Sequence, residues 1–162
     1  EAQAILTMNL YLSSREQTAG CKAGRIMLSA VMCLALNLYF EARDQPVVGQ
    51  LAVGFSTMNR VKDERYPDSV CGVVKQAKYS SWDSKNPIRH RCQYSWFCDG
   101  MSDLPTDDKA MLEATILAAN IFYGRVTDVS DGATHYHATY VQPYWADHMT
   151  VVFTIDEHIF YR

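Results

Sequence analysis

No phosphate-binding glycine loop or dinucleotide fingerprint occurs in the 162 residues, which removes those two routes to nucleotide chemistry. The cysteines Cys21, Cys33, Cys71, Cys92 and Cys98 include no C-x-x-C pair, so zinc ribbons and thioredoxin-type sites are disfavoured. The H-E-x-x-H metalloprotease motif is also absent. Positive charge is not in excess: the net charge is -3 and the pI is near 5.9, so no broad cationic field favours nucleic acid or an anionic membrane. The longest apolar run, Ile26 to Phe40, has 15 residues and is interrupted by Ser29 and Asn37. A bilayer span needs about 20, so a buried helix is the better reading than a signal anchor, and no stable membrane insertion is expected. Internal repeats and low-complexity tracts are missing as well.

What is present suits one folded domain. Hydrophobic residues make up 48% of the chain and charged residues 20%, enough for a real core. Tyr (10), Phe (6) and Trp (3) are plentiful, which fits a cleft that stacks on flat or ring-shaped ligands as readily as it fits a core. Five cysteines allow at most two intramolecular disulfides. Cys33, inside the apolar run, reads as a small core residue, while Cys71, Cys92 and Cys98 lie near expected loops where a bridge is possible.

Periodicity and punctuation predict four helices beyond an N-terminal arm. Residues 1 to 24 form an N-terminal arm, with a short helix near Ala4 to Leu12. A strong helix is expected from about Met27 to Ala42. A second, over about 46 to 62, has Pro46 in its first turn and Asp44 as a possible cap, and carries Val48, Leu51, Ala52, Phe55 and Met58 at helical spacing. Pro67-Asp68-Ser69 opens a short helix through Gln76, with Asp68 as its cap. Lys78 to Pro105 is irregular, in the manner of a functional loop. Thr106-Asp107-Asp108 begins a fourth helix that ends at Gly124 in the C-cap role. Two β-rich segments, about 133 to 141 and 149 to 155, are expected to pair as a hairpin. The fold class is therefore α+β, mainly helical, with a small antiparallel hairpin or sheet.

Three chemistries compete. Glu41 ends the apolar run Leu34 to Phe40, where a carboxyl group would hold its proton longer and could act as a general acid; a solvated Glu beside Arg43 would end a helix equally well. A second carboxylate to assist it could be Asp44, Asp99, Asp103, Asp131 or Asp147. With none, the sugar's own hydroxyl must attack after Glu41 has donated its proton. His135 and His137 on one strand face could join His148, His158 or an Asp around Zn²⁺ in a metal-dependent amidase, although hydrogen-bonding histidines produce the same pattern. Cys92 near His90 carries no cysteine-protease signature.

The run Ala35-Leu36-Asn37-Leu38-Tyr39-Phe40-Glu41-Ala42-Arg43, then Gly49-Gln50-Leu51-Ala52-Val53 and Met58-Asn59-Arg60-Val61, resembles the SleB/CwlJ-type cell wall hydrolases. So do Tyr66 to Val74, Cys92-Gln93-Tyr94-Ser95-Trp96, Cys98-Asp99-Gly100, Gly132 to Ala138 and the final His158 to Arg162. The resemblance covers residues 33 to 162 and implies a catalytic domain there, with residues 1 to 32 as an arm or added helix. It implies a lysozyme-like or transglycosylase-like fold with Glu41 as the catalytic acid. The implied substrate is the peptidoglycan glycan strand, cut between N-acetylmuramic acid and N-acetylglucosamine, as a lytic transglycosylase. Gln93, Ser95, Trp96, His135 and Tyr136 are expected to bind substrate, and Trp145 shares the stacking expectation with Trp96. No metal or other cofactor is required; a metal-dependent N-acetylmuramoyl-L-alanine amidase and a non-catalytic wall-binding module are the alternatives. The resemblance further implies action at the bacterial cell wall, in the periplasm or envelope, by a protein of phage or secreted origin, and a monomer is expected. Asp44 stands where the family often has Gly, which would place a second carboxylate beside Glu41.

Overall fold

The computed structural model describes Gly24 and residues 27–162; the short helix expected near Ala4 to Leu12 lies outside the described residues. Helix α1 covers 27–42 and is the centre of the molecule. Leu34, Ala35 and Leu38 are fully buried, with Val31, Tyr39 and Ala42 nearly so, as a helix apolar on most of its circumference requires. It crosses residue 33, the expected start of the catalytic unit. A turn closed by Gln45 N–H donating to Ala42 O leads into α2, Val47–Lys62. Pro46 occupies the N-cap position itself, with no side-chain cap, and Asp44 points into solvent instead of capping.

Close approach of α1, α2 and α4 (Asp108–Phe122) depends on Gly54: a β-carbon there would lie 2.5 Å from Ile121 Cδ1 and 3.4 Å from Leu38 Cδ2. Helix α4 begins within the expected Thr106-Asp107-Asp108, with Asp107 as its cap accepting from Ala110 N–H at 3.0 Å, and Gly124 beyond it has φ +65°. Helix α3 is shorter than expected, Val70–Val74, and its cap is Ser69 rather than Asp68, Ser69 Oγ accepting from Gly72 N–H.

Two parts of the chain differ from the periodicity reading. The stretch expected to be irregular contains β1 (Ala77–Tyr79) paired antiparallel with β2 (Pro87–Cys92), then a 3₁₀ turn, Ser95–Cys98. The two late strands, β3 (His135–Ala138) and β4 (Val151–Ile155), do not form a hairpin with each other. Strand β5 (His158–Tyr161) lies between them in an antiparallel sheet of order β3-β5-β4, matching Tyr136 to Phe160 and Ile155 to His158. Four residues are too few for a period to register, yet Phe160 is fully buried and anchors the sheet to the helices. The β4–β5 turn holds Asp156 at φ +48°, within the range that tight hairpins need.

Cys33 is buried but is not a free core thiol. It is bonded to Cys71, tying α1 to α3, and Cys92 is bonded to Cys98.

Candidate active site

Glu41 sits in the last turn of α1 and lines a pocket of about 160 Å³ with Arg60, Gln93, Tyr94, His135, Tyr136 and Trp145. Five parts of the fold contribute: α1, α2, the segment after β2, strand β3 and the loop before the second 3₁₀ turn, Ala146–His148. Burial pushes the Glu41 carboxyl above its ordinary range, against the opposing pull of Tyr136 and Arg60. Tyr136 Oη donates to Glu41 Oε2 at 3.0 Å. Burial, followed by the neighbouring Glu41, pushes the Tyr136 phenol well up, so that it remains a donor.

Arg60 is the least expected member. It is 3% exposed and has no carboxylate partner in an ion pair among the described residues. Its Nε donates to Thr134 O at 2.6 Å, and its guanidinium lies 5.2 Å and 5.5 Å from the ring centres of Tyr94 and Tyr66. The remaining Nη1 is buried without a hydrogen-bond partner. An Arg in the M-N-R-V segment of α2 gives no sign of this from sequence, because apart from Tyr66 its neighbours Tyr94 and Thr134 lie 34 and 74 residues away.

His135 is held between Tyr66 Oη (Nε2, 3.3 Å) and Thr134 Oγ1 (Nδ1, 3.0 Å). Burial first, then the Arg60 charge, lowers its pKa to about 4, so the ring is neutral. His137, on the same strand face, is tied to Ala138 O and Tyr161 Oη, and both rings lie against Trp145, at 5.1 and 5.6 Å. Among the described residues no group of three or more His, Cys, Asp or Glu gathers in a metal-ligand arrangement, so the Zn²⁺ set expected around His135 and His137 is not assembled.

The expected residues separate. Glu41, Gln93, His135 and Tyr136 meet in the pocket, and Trp145 forms its wall. Ser95 is exposed and is not among the lining residues. Trp96 is 7% exposed, stacked on Phe40, and its Nε1 donates to the buried Asn37 Oδ1 at 3.1 Å. Asn37 in turn donates to Thr57, which shares a 2.8 Å hydrogen bond with Tyr94 Oη. This buried polar chain fixes the floor of the pocket from below. Asp44 is 91% exposed, pairs with Arg43 at 3.8 Å and is not among the groups acting on Glu41. The second carboxylate expected beside Glu41 is therefore not there, and desolvation is what raises the Glu41 pKa. No carboxylate other than Glu41 lines the pocket.

A mainly helical α+β domain with one half-buried acid lining an aromatic-walled pocket is the class that this geometry defines. The chain belongs to the cell wall hydrolase family, whose model matches residues 44–161, beginning just after Glu41. A 44-residue stretch, 27% of this chain, is 41% identical to the spore cortex-lytic enzyme of Halalkalibacterium halodurans, and the match spans 13% of that relative's length. Two solved structures share the fold. The catalytic domain of the Bacillus cereus SleB protein matches with a TM-score of 0.56 at 23% identity, over 83% of this chain and 91% of that one. The catalytic domain of the germination-specific lytic transglycosylase SleB from Bacillus anthracis matches with a TM-score of 0.58 at 23% identity, over 82% and 93%.

Proposed function

We propose that this protein cleaves peptidoglycan glycan strands between N-acetylmuramic acid and N-acetylglucosamine as a lytic transglycosylase, with Glu41 as its one acid and base. The observation that carries the reading is the solitary carboxyl in the pocket, whose hold on its proton is strengthened by burial. Hydrolytic glycosidases commonly use two carboxylates, one for the leaving oxygen and one for water or for covalent attack. Here Glu41 gives its proton to the bridging oxygen as the muramic acid C1–O bond breaks. The resulting carboxylate then takes the proton of the same sugar's C6 hydroxyl as O6 bonds to C1. The products are a 1,6-anhydro-muramic end and a free N-acetylglucosamine hydroxyl, and no water is consumed.

Arg60 and Tyr136 suit the second half of that cycle. Once Glu41 is ionised, the buried guanidinium gains an opposite charge nearby, and the Tyr136 hydrogen bond becomes charge-assisted. Gln93 and the Trp145 ring are placed to hold the sugars. The Cell Wall Hydrolase family and the names of the similar proteins support the substrate. The two disulfides suit work in the bacterial envelope or outside the cell. We take the catalytic unit expected over 33–162 to include the whole of α1, and to act as a monomer.

Mass spectrometry of digested peptidoglycan tests the reading. Muropeptides lighter by one water than the hydrolytic product, and their loss in Glu41→Gln, are expected. Reducing muramic ends would mean hydrolysis, free amines an amidase, and full activity of Glu41→Gln would remove the residue from the chemistry.

A further inference from the structure

A second groove, of about 670 Å³, begins where the catalytic pocket ends, and Gln93 and Trp145 line both. Its other walls are Gln76, Ala77, Lys78, His90, Arg91, Cys92 and Tyr144. No Asp or Glu is among them. Lys78, His90 and Arg91 are all exposed, and none forms an ion pair with a carboxylate among the described residues. On a chain with a net charge of -3, three unneutralised basic side chains around one groove are a local exception.

The hairpin that carries them is irregular at the same place. The β1–β2 register shifts between Ala77 and Tyr79, opposite Pro87 to Cys92, and His90 holds φ +58°, a backbone region that a β-carbon disfavours. Local irregularities of this kind re-aim side chains beside functional sites. The Cys92–Cys98 disulfide anchors the strand just after Arg91.

We infer that this groove binds the acidic stem peptide that hangs from muramic acid, making the enzyme selective for glycan strands whose stems are intact. The inference rests on the glycan-cleaving reading above. Further sugars of the strand are uncharged and give the Lys78 and Arg91 cations nothing to neutralise. The stem, attached to the lactyl group of the sugar over Glu41, carries free carboxylates and leaves that sugar close to the shared Gln93 and Trp145.

The test compares two substrates, stem-bearing glycan strands and the same strands stripped of stems by an amidase, with the wild type and the Lys78→Ala/Arg91→Ala double variant. The wild type should show the lower KM on stem-bearing strands. The double variant should lose about fivefold to tenfold in KM on those strands, as two exposed charge contacts suggest, with kcat held and the stripped strands little affected. Titration of Glu41→Gln with a disaccharide-tetrapeptide should show salt-sensitive binding that the added Lys78→Ala/Arg91→Ala changes weaken. Cleavage of both strands with no preference, or equal losses on both, overturns the stem site and leaves the glycan-cleaving reading standing. Salt-sensitive, Lys78- and Arg91-dependent binding with no cleavage of either strand overturns the cleavage reading alone. Neither binding nor cleavage overturns both.

Discussion

Replacing Tyr136 by Phe removes one oxygen and leaves the ring, which packs against Phe160 at 5.5 Å and His158 at 5.3 Å. What is lost is the 3.0 Å hydrogen bond to Glu41 Oε2. A hydrogen bond to a charged group contributes about 1.5–3 kcal/mol, and part of this would be returned by water entering the open pocket. A remaining preference of about 1.4 kcal/mol for the ionised form is worth one pH unit. Because Tyr136 favours the carboxylate and burial favours the acid, its loss sends the Glu41 pKa further upward. An enzyme that needs Glu41 protonated loses activity as pH rises through that pKa. The alkaline limb of the kcat/KM profile should therefore move about one pH unit higher in Tyr136→Phe, measured on soluble muropeptide chains. Stability gives a second reading with a definite sign. A raised folded-state pKa leaves the protein most stable below the ordinary Glu pKa and costs stability as pH climbs to the folded value, with no further change beyond it. In the variant that decline should continue further, adding about 1.4 kcal/mol to the loss at high pH and little at pH 4. An alkaline limb that stays in place or moves toward acid would refute the assignment of Tyr136 to the Glu41 carboxyl.

His135 predicts the opposite slope. Its folded-state pKa lies near 4 against an ordinary 6.5, so the unfolded chain binds a proton that the folded one refuses, and stability falls as pH drops from 6.5 toward 4. His135→Asn should flatten that part of a urea-midpoint series, and an unchanged slope would remove His135 as the cause. Opening the Cys33–Cys71 bridge, which spans 38 residues, should cost about 4 kcal/mol by chain entropy. The Cys92–Cys98 bridge, spanning 6, should cost about 2 kcal/mol, and thermal unfolding of Cys33→Ala/Cys71→Ala against Cys92→Ala/Cys98→Ala measures the difference.

Local signals were enough for the helices. The apolar run of α1, the spacing of Ala52 and Phe55 in α2 and the Thr106-Asp107-Asp108 start of α4 are each written within one or two turns of chain, as helix stability demands. They raised Glu41 as a candidate, a carboxylate following Leu38-Tyr39-Phe40, but a solvated helix end fitted the same residues, and the family motifs tipped the reading toward an acid. The motifs around Gln93, His135 and Tyr136 pointed to residues that do meet in the pocket. The same motifs could not separate Trp96, which the Asn37 hydrogen bond holds in the core, from Trp145, which faces the pocket.

Whatever depends on contact between distant segments was settled by the tertiary structure alone. Strand β5 became the centre of the sheet because Phe160 had a core to enter, although four residues show no period of their own. Cys33 found Cys71 because α1 and α3 bring their α-carbons to 5.3 Å. Sequence proximity suggested Asp44 as the companion of Glu41. The helix ends before Asp44, leaving it in solvent, and the groups that act on Glu41 are Tyr136 and Arg60, distant in sequence and adjacent only after folding. A residue's chemical type is local, but burial and the charges within reach belong to the packed molecule. The sequence by itself thus marked Glu41 as the candidate acid, and the fold decided that burial raises its pKa and that it stands without a second carboxylate in its pocket.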